Sequence, residues 1–148
     1  DYAHTPDALS QALTAMRQHL QQSADLWCVF GCGGDRDRGK RPLMGAAAEQ
    51  FANRVVLTDD NPRSETSDVI IADIIGGLQQ PENAVILTDR RQAIFYAISE
   101  AANDDMVLVA GKGHENYQEK QGQKQPFSDV AVVKAALQAR QQLSGANL

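Results

Sequence analysis

Thr58-Asp59-Asp60-Asn61-Pro62-Arg63-Ser64-Glu65 is the stretch that decides the fold. Before it lies the short apolar run Arg54-Val55-Val56-Leu57, which reads as a buried strand. After it, Val69, Ile70, Ile71, Ile74, Ile75 and Leu78 recur at helical spacing. A polar loop between a buried strand and a helix belongs at the carboxyl edge of an open α/β sheet, where such sheets hold their ligands. Pro62 fixes its own φ and pushes Asn61 toward an extended backbone, so the loop is stiff. It presents a carboxylate (Asp60), an amide (Asn61) and a guanidinium (Arg63), a set that suits a ligand carrying both an ammonium and a carboxylate. The same residues are also ordinary turn chemistry, and the other loops of the chain weigh on that choice.

Working outward, the strand–loop–helix unit recurs. Thr5 is placed to cap a first helix that has Pro6 at its first position and carries Leu9, Leu13, Met16 and Leu20 on one face. Residues 26–30 form a strand that opens directly into Gly31-Cys32-Gly33-Gly34-Asp35-Arg36-Asp37-Arg38-Gly39-Lys40-Arg41. Leu43, Met44, Ala47, Ala48 and Phe51 mark the next helix. Gly76-Gly77 weakens the end of the helix after the Asp-Asn-Pro-Arg loop. A third strand is predicted over 84–87, with Asp89 capping a helix on Ala93, Ile94, Ala97, Ile98 and Ala101. A fourth strand over 106–110 ends in Gly111-Lys112-Gly113-His114-Glu115. The polar segment to Pro126 reads as a hairpin or a long loop. Ser128 or Asp129 then caps a last helix on Val132, Val133, Ala136 and Leu137, with fraying expected past Gln142. Short apolar strands alternating with helices predict one α/β domain over 1–148: a Rossmann-like, mostly parallel sheet with helices on both faces.

The totals fit one domain with a real core. The chain has 148 residues, 43% hydrophobic and 22% charged, as in ordinary soluble proteins. A net charge of −5 argues against a general binder of nucleic acid or membrane surface. With no run of 18 apolar residues and no signal-peptide pattern, neither a membrane nor export is expected. Cys28 and Cys32 form no C-x-x-C pair and read as reduced thiols of a cytoplasmic protein. Asp1-Tyr2-Ala3-His4 is not an initiator sequence, so a fragment of a longer protein is expected, and a monomeric one.

The four polar loops should share one sheet edge, gathering Arg36, Arg38, Lys40, Asp60, Asn61, Arg63, Asp89, Arg90, Lys112, His114 and Glu115. Mixed charge at that density suits a zwitterionic small molecule better than a bare phosphate. Gly34 to Lys40 matches G-x-x-x-x-G-K but is a poor phosphate loop. Arg41 stands where a magnesium-binding Ser or Thr is required, and Asp35 and Asp37 would repel phosphate. Its glycines are read instead as permitting a tight turn that aims Arg36 at a carboxylate. In the 111–115 loop, Gly111 and Gly113 permit unusual φ values, and Glu115 is placed to accept from an ammonium. His4, His19 and His114 have no metal-ligand spacing. Two rival readings remain: a free-standing nucleotide- or phosphate-binding Rossmann-like module using Gly34 to Lys40, and a non-catalytic interaction domain.

Asp1-Tyr2-Ala3-His4-Thr5-Pro6-Asp7-Ala8-Leu9, Gly31-Cys32-Gly33-Gly34-Asp35-Arg36-Asp37, Thr58 to Arg63 and Ala110 to Glu115 together resemble the C-terminal domain of the Mur ligases, in its diaminopimelate-adding branch. The resemblance covers nearly the whole chain. It implies a cytoplasmic ligase of peptidoglycan synthesis that uses ATP and Mg²⁺ to join an amino acid to a UDP-linked peptide. The partners implied are meso-diaminopimelate and UDP-N-acetylmuramoyl-L-alanyl-D-glutamate. By positional match, Asp60-Asn61-Pro62-Arg63 is the diaminopimelate recognition motif, and Arg36, Gly111 and Glu115 complete the pocket. Asp1 and His4 match the segment that faces ATP across the domain boundary. The family's phosphate loop, magnesium ligands and UDP-binding domain would lie upstream of Asp1, which implies that this chain alone is inactive.

Overall fold

The computed structural model describes residues 2–146. Its centre is β1 (Leu26–Phe30), every residue of which is buried. β1 pairs in parallel with β2 (Arg54–Leu57) on one side and β4 (Met106–Val109) on the other. β3 (Val85–Ile86) adds to β2, giving the order β3-β2-β1-β4 with every pair parallel. The expected mostly parallel sheet is therefore wholly parallel among the described strands.

Alternation along β1 divides the core in two, because successive side chains point to opposite faces. Leu26, Cys28 and Phe30 meet Leu9 and Leu13 of α1 (Pro6–Gln18), Met44 and Ala48 of α2 (Lys40–Phe51), and Ile70, Ile71 and Ile74 of α3 (Ser67–Ile75). On the other face, Trp27 and Val29 meet Ala93, Ile94 and Ala97 of α4 (Arg90–Glu100) and Val132 and Ala136 of α5 (Asp129–Ala146). Each large apolar side chain so buried contributes about 1.5–3 kcal/mol.

The caps follow the sequence. Thr5 accepts from Ala8 N, Asp89 from Gln92 N and Ser128 from Ala131 N, each satisfying an amide that the helix leaves unpaired. Several details differ from expectation; among them, α3 stops at Ile75 and Leu78 packs on the core from beyond it. β3 shrinks to two residues, since a 3-10 turn over Pro81–Asn83 precedes it and this edge strand has one neighbour and leaves Ile86 46% exposed. α1 stops at Gln18, so Leu20 packs on the core from beyond the helix. α5 runs on to Ala146 rather than fraying past Gln142.

The polar segment is a hairpin, β5 (Tyr117–Lys120) with β6 (Gln123–Pro126), antiparallel and separate from the main sheet. Its two turn residues, Gln121 and Gly122, have φ of 52° and 77°, the left-handed conformation that two-residue hairpin turns require.

The order β3-β2-β1-β4 reverses direction at β1: the chain moves outward through β2 and β3, then returns to β1's other side. Loops after β1 and β4 diverge there, opening the crevice in which doubly wound sheets bind ligands.

Candidate functional site

A cleft of about 410 Å³ opens at that crevice, within the usual size range for small-molecule sites. It is lined by Gly33 and Arg36 after β1, Asp60, Asn61 and Arg63 after β2, and Gly111 and Glu115 after β4. Six of the seven residues expected to bind the amino acid thus line one cleft. The seventh, Pro62, backs the loop instead. Its carbonyl oxygen would lie 1.8 Å from a Cβ on Gly34, so glycine is required there for two loops to touch.

Contrary to the expected tight glycine turn, none of the first loop's glycines has a positive φ; Asp35 makes the left-handed turn, with φ 55°. Glycine serves close approach at Gly31 and Gly34. Backbone donors of this loop are engaged: Gly34 N with Asn61 O, Asp35 N with Glu65 Oε2, Gly39 N with Asp37 Oδ1. A phosphate would find those three amides taken, which weakens the support for an autonomous nucleotide module.

Arg63 is held from several directions. Its φ is 54°, a conformation uncommon outside glycine. Arg63 N donates to Glu119 O at 3.0 Å and Gln121 N donates to Arg63 O at 2.7 Å, so β5 stitches onto the loop. Its Nη1 donates to Gly34 O at 3.0 Å, and its Nε lies 3.5 Å from Glu119 Oε2. Arg36, exposed, donates Nη1 to its neighbour's carbonyl, Asp35 O.

Asn61 lines the cleft with its amide already engaged. Oδ1 accepts from Lys112 Nζ at 2.8 Å and Glu119 N at 2.9 Å, while Nδ2 donates to Glu115 Oε1 at 3.2 Å. Beneath it Lys112 is fully buried, and its ammonium also meets Tyr117 O, Asp60 Oδ1 at 3.2 Å and Glu115 Oε1 at 3.6 Å. Burying one cation among two carboxylates, an amide and a carbonyl compensates charges that would otherwise be costly to desolvate. Asp60 Oδ1 is buried without a well-aligned hydrogen bond. Gly111, with φ 113°, lets the backbone pass close to the Asp60 carboxylate.

Sequence reasoning places Lys112 at this edge without a role, and its two flanking glycines are the signal that could have found one. Glu119 left no signal, because it approaches through a hairpin whose docking is non-local. Two more cations are struts. Arg41, fully buried, donates to Glu65, Asp73 and Gly33 O. Its bonds, and then the Asp35 amide, pull the Glu65 carboxyl down to about 2. Arg90 pairs with Asp129 at 2.7 Å and donates to Asp59 O and Ala110 O, the carbonyls just before Asp60 and Gly111.

The remaining edge residues divide. Arg38 turns to Asp73, Asp89 serves as a helix cap, and His114 is exposed and does not line the cleft. Lys40 lies on the rim and donates to His4 O at 3.0 Å. Tyr2, Asp37 and His4 complete that rim; Asp1 lies outside the described residues. Burial pushes both thiols, Cys28 and Cys32, up to about 12. Among the described residues no helix is long and apolar enough to cross a membrane, and no three His, Cys, Asp or Glu side chains are grouped to hold a metal ion.

The family model of the Mur ligase glutamate ligase domain matches residues 1–113. The UDP-N-acetylmuramoyl-L-alanyl-D-glutamate–2,6-diaminopimelate ligase of Neisseria meningitidis serogroup A is 57% identical over 140 residues, covering 95% of this chain and 28% of that protein. The enzyme of the same name from Xanthomonas campestris pv. campestris is also 57% identical, with the same coverage. A solved structure of a ligase of that name superposes with a TM-score of 0.89 at 50% identity, covering 95% of this chain and 29% of that one. E. coli FolC in complex with ADP shares the fold, with a TM-score of 0.58 at 22% identity. The chain thus spans little more than a quarter of the length of the curated relatives it matches. With three quarters of its length matched by the family model and more than half its residues shared with those relatives, this chain belongs to the Mur ligase family, as its glutamate ligase domain.

Proposed function

We propose that this chain is the amino-acid-binding domain of an ATP-dependent ligase that adds meso-diaminopimelate to UDP-N-acetylmuramoyl-L-alanyl-D-glutamate in the cytoplasm. The observation that carries this reading is the lining of the cleft. Arg36 and Arg63 bring two guanidinium groups, and Asp60 and Glu115 two carboxylates, to one space whose rim adds Lys40 and Asp37. Meso-diaminopimelate carries two carboxylates and two ammonium groups, so each charge finds a counterpart. Arg36 and Arg63 take the carboxylates. Glu115 and the Gly111 backbone take the amino end, with Asp60 adding a second acceptor. Lysine lacks the second carboxylate and would forgo one guanidinium–carboxylate pair, which discriminates against it.

ATP with Mg²⁺ supplies the phosphoryl group that activates the acceptor carboxylate. The described residues are a poor fit for those groups, for the Gly34, Asp35 and Gly39 amides of the loop are engaged within the chain and no metal-binding cluster is present among the described residues. We assign both to a central domain of the whole enzyme, with a UDP-binding domain beyond it and only the His4 rim of this chain facing the nucleotide. What remains to this chain is orientation. Holding the amine against the activated carboxylate makes the attack effectively unimolecular, an effect worth up to about 7–11 kcal/mol.

The test is amide formation by the full-length ligase, with meso-diaminopimelate and L-lysine compared. A preference of about a hundredfold or more in kcat/KM is expected from the loss of that pair. Comparable efficiencies would overturn the reading.

A further inference from the structure

We propose that Glu119 is an internal competitor for Arg63: it occupies the recognition cation in the empty cleft and weakens the capture of a ligand carboxylate there. This rests on the reading of Arg63 as a carboxylate holder.

The position of Glu119 is fixed through its backbone. Its amide donates to Asn61 Oδ1 at 2.9 Å and its carbonyl accepts from Arg63 N at 3.0 Å. The side chain is therefore not needed to hold β5 against the loop. Nor is it needed to aim Arg63, whose Nη1 is anchored on Gly34 O at 3.0 Å. What the carboxylate supplies is charge. Oε2 lies 3.5 Å from Arg63 Nε, looser than the 2.7–2.9 Å of a charge-assisted hydrogen bond. The two side chains are only 19% and 28% exposed, so solvent screens the pair incompletely.

Charge balance in the cleft points the same way. Asp60 and Glu115 share the buried Lys112. Among the described ion pairs, Glu119 has Arg63 alone. An arriving carboxylate meets a guanidinium whose field is partly cancelled, and it must share the cation or displace Glu119. When product leaves, Glu119 re-forms the pair and lowers the cost of vacating the site. The residue thus tunes affinity downward and release upward, which favours turnover when substrate is plentiful.

The experiment uses the full-length ligase carrying this chain, with Glu119→Gln and Glu119→Ala beside Arg63→Ala. Initial rates are measured against meso-diaminopimelate at saturating ATP and UDP-linked peptide, at low and high salt. Removing one charge from a partly exposed pair should lower the KM for meso-diaminopimelate about three- to tenfold in both Glu119 variants. The gain should shrink at high salt, as Coulombic competition is screened. Inhibition by lysine, which has no carboxylate to offer Arg63, should not tighten. An unchanged or raised KM in the Glu119 variants, with Arg63→Ala still impaired, overturns the competitor role and leaves the binding assignment standing. An Arg63→Ala enzyme with an unchanged KM overturns the binding assignment itself, and the competitor role with it.

Discussion

Replacing Arg63 separates the proposed recognition role from folding, because this residue combines a cleft-lining guanidinium with a backbone that prefers glycine. On the proposed reading, Arg63→Ala removes the guanidinium partner for the second carboxylate of meso-diaminopimelate. Hydrogen bonds to charged groups contribute about 1.5–3 kcal/mol each. One anchor, Nη1 to Gly34 O, already commits part of the fork. A net loss of at least about 3 kcal/mol follows, a hundredfold or larger rise in KM. Arg63→Gly should show the same kinetic defect with a different stability. At φ 54° an alanine pays a left-handed strain of about 1–2 kcal/mol that glycine does not. The glycine variant should therefore melt a few degrees above the alanine variant. The assays are steady-state amide formation with meso-diaminopimelate varied, and thermal unfolding of each variant. Matching kinetic defects with unequal melting points attribute the KM change to the lost guanidinium. A KM for meso-diaminopimelate that stays unchanged in both variants would refute the role given to Arg63.

Two further outcomes test the loops. Gly34→Ala places a methyl 1.8 Å from Pro62 O, a backbone atom that cannot swing aside. It should cost about 1–3 kcal/mol or more and displace the recognition loop; a wild-type melting temperature together with a wild-type KM would contradict that packing. Glu65 titrates near 2 in the folded chain against an ordinary value of 4.5, so its contribution is full above about 4.5 and is lost as the pH falls toward 2. Thermal melts between pH 5 and pH 2 should decline less steeply in Glu65→Gln than in wild type, and parallel declines would remove Glu65 from the acid response.

Much of the fold was legible because local rules and tertiary demands agree. Four apolar runs, each opening into a polar loop and followed by a helical stripe, leave a parallel sheet as the simplest solution. The caps at Thr5, Asp89 and Ser128 were readable for the same reason. The cleft was legible in part. Asp60, Asn61, Arg63, Gly111 and Glu115 sit at strand ends, where topology alone brings them together. The engagement of Asn61's amide was not legible, since it depends on Lys112 and on a hairpin arriving from more than 50 residues away. The left-handed Arg63 was hidden too, because its φ is imposed by backbone pairing with β5 rather than by its own residue type.

The cations of the sheet edge show what decides such roles. In sequence Arg36, Arg41, Arg63, Arg90 and Lys112 are equivalent positive charges in polar loops. Desolvation separates them. Arg41, Arg90 and Lys112 are essentially fully buried, and each is surrounded by carboxylates and carbonyls. A buried cation so engaged costs too much to move, so these three are fixed struts that set the spacing of the loops. Arg36 and Arg63 keep access to the cleft and make fewer bonds, which leaves donors for an incoming anion. Arg90 shows the division most directly. Its guanidinium bridges Asp59 O and Ala110 O, so the Asp60 loop and the Gly111 loop are held by one buried side chain that does not line the cleft. The cleft-lining residues can be few because the struts behind them are rigid.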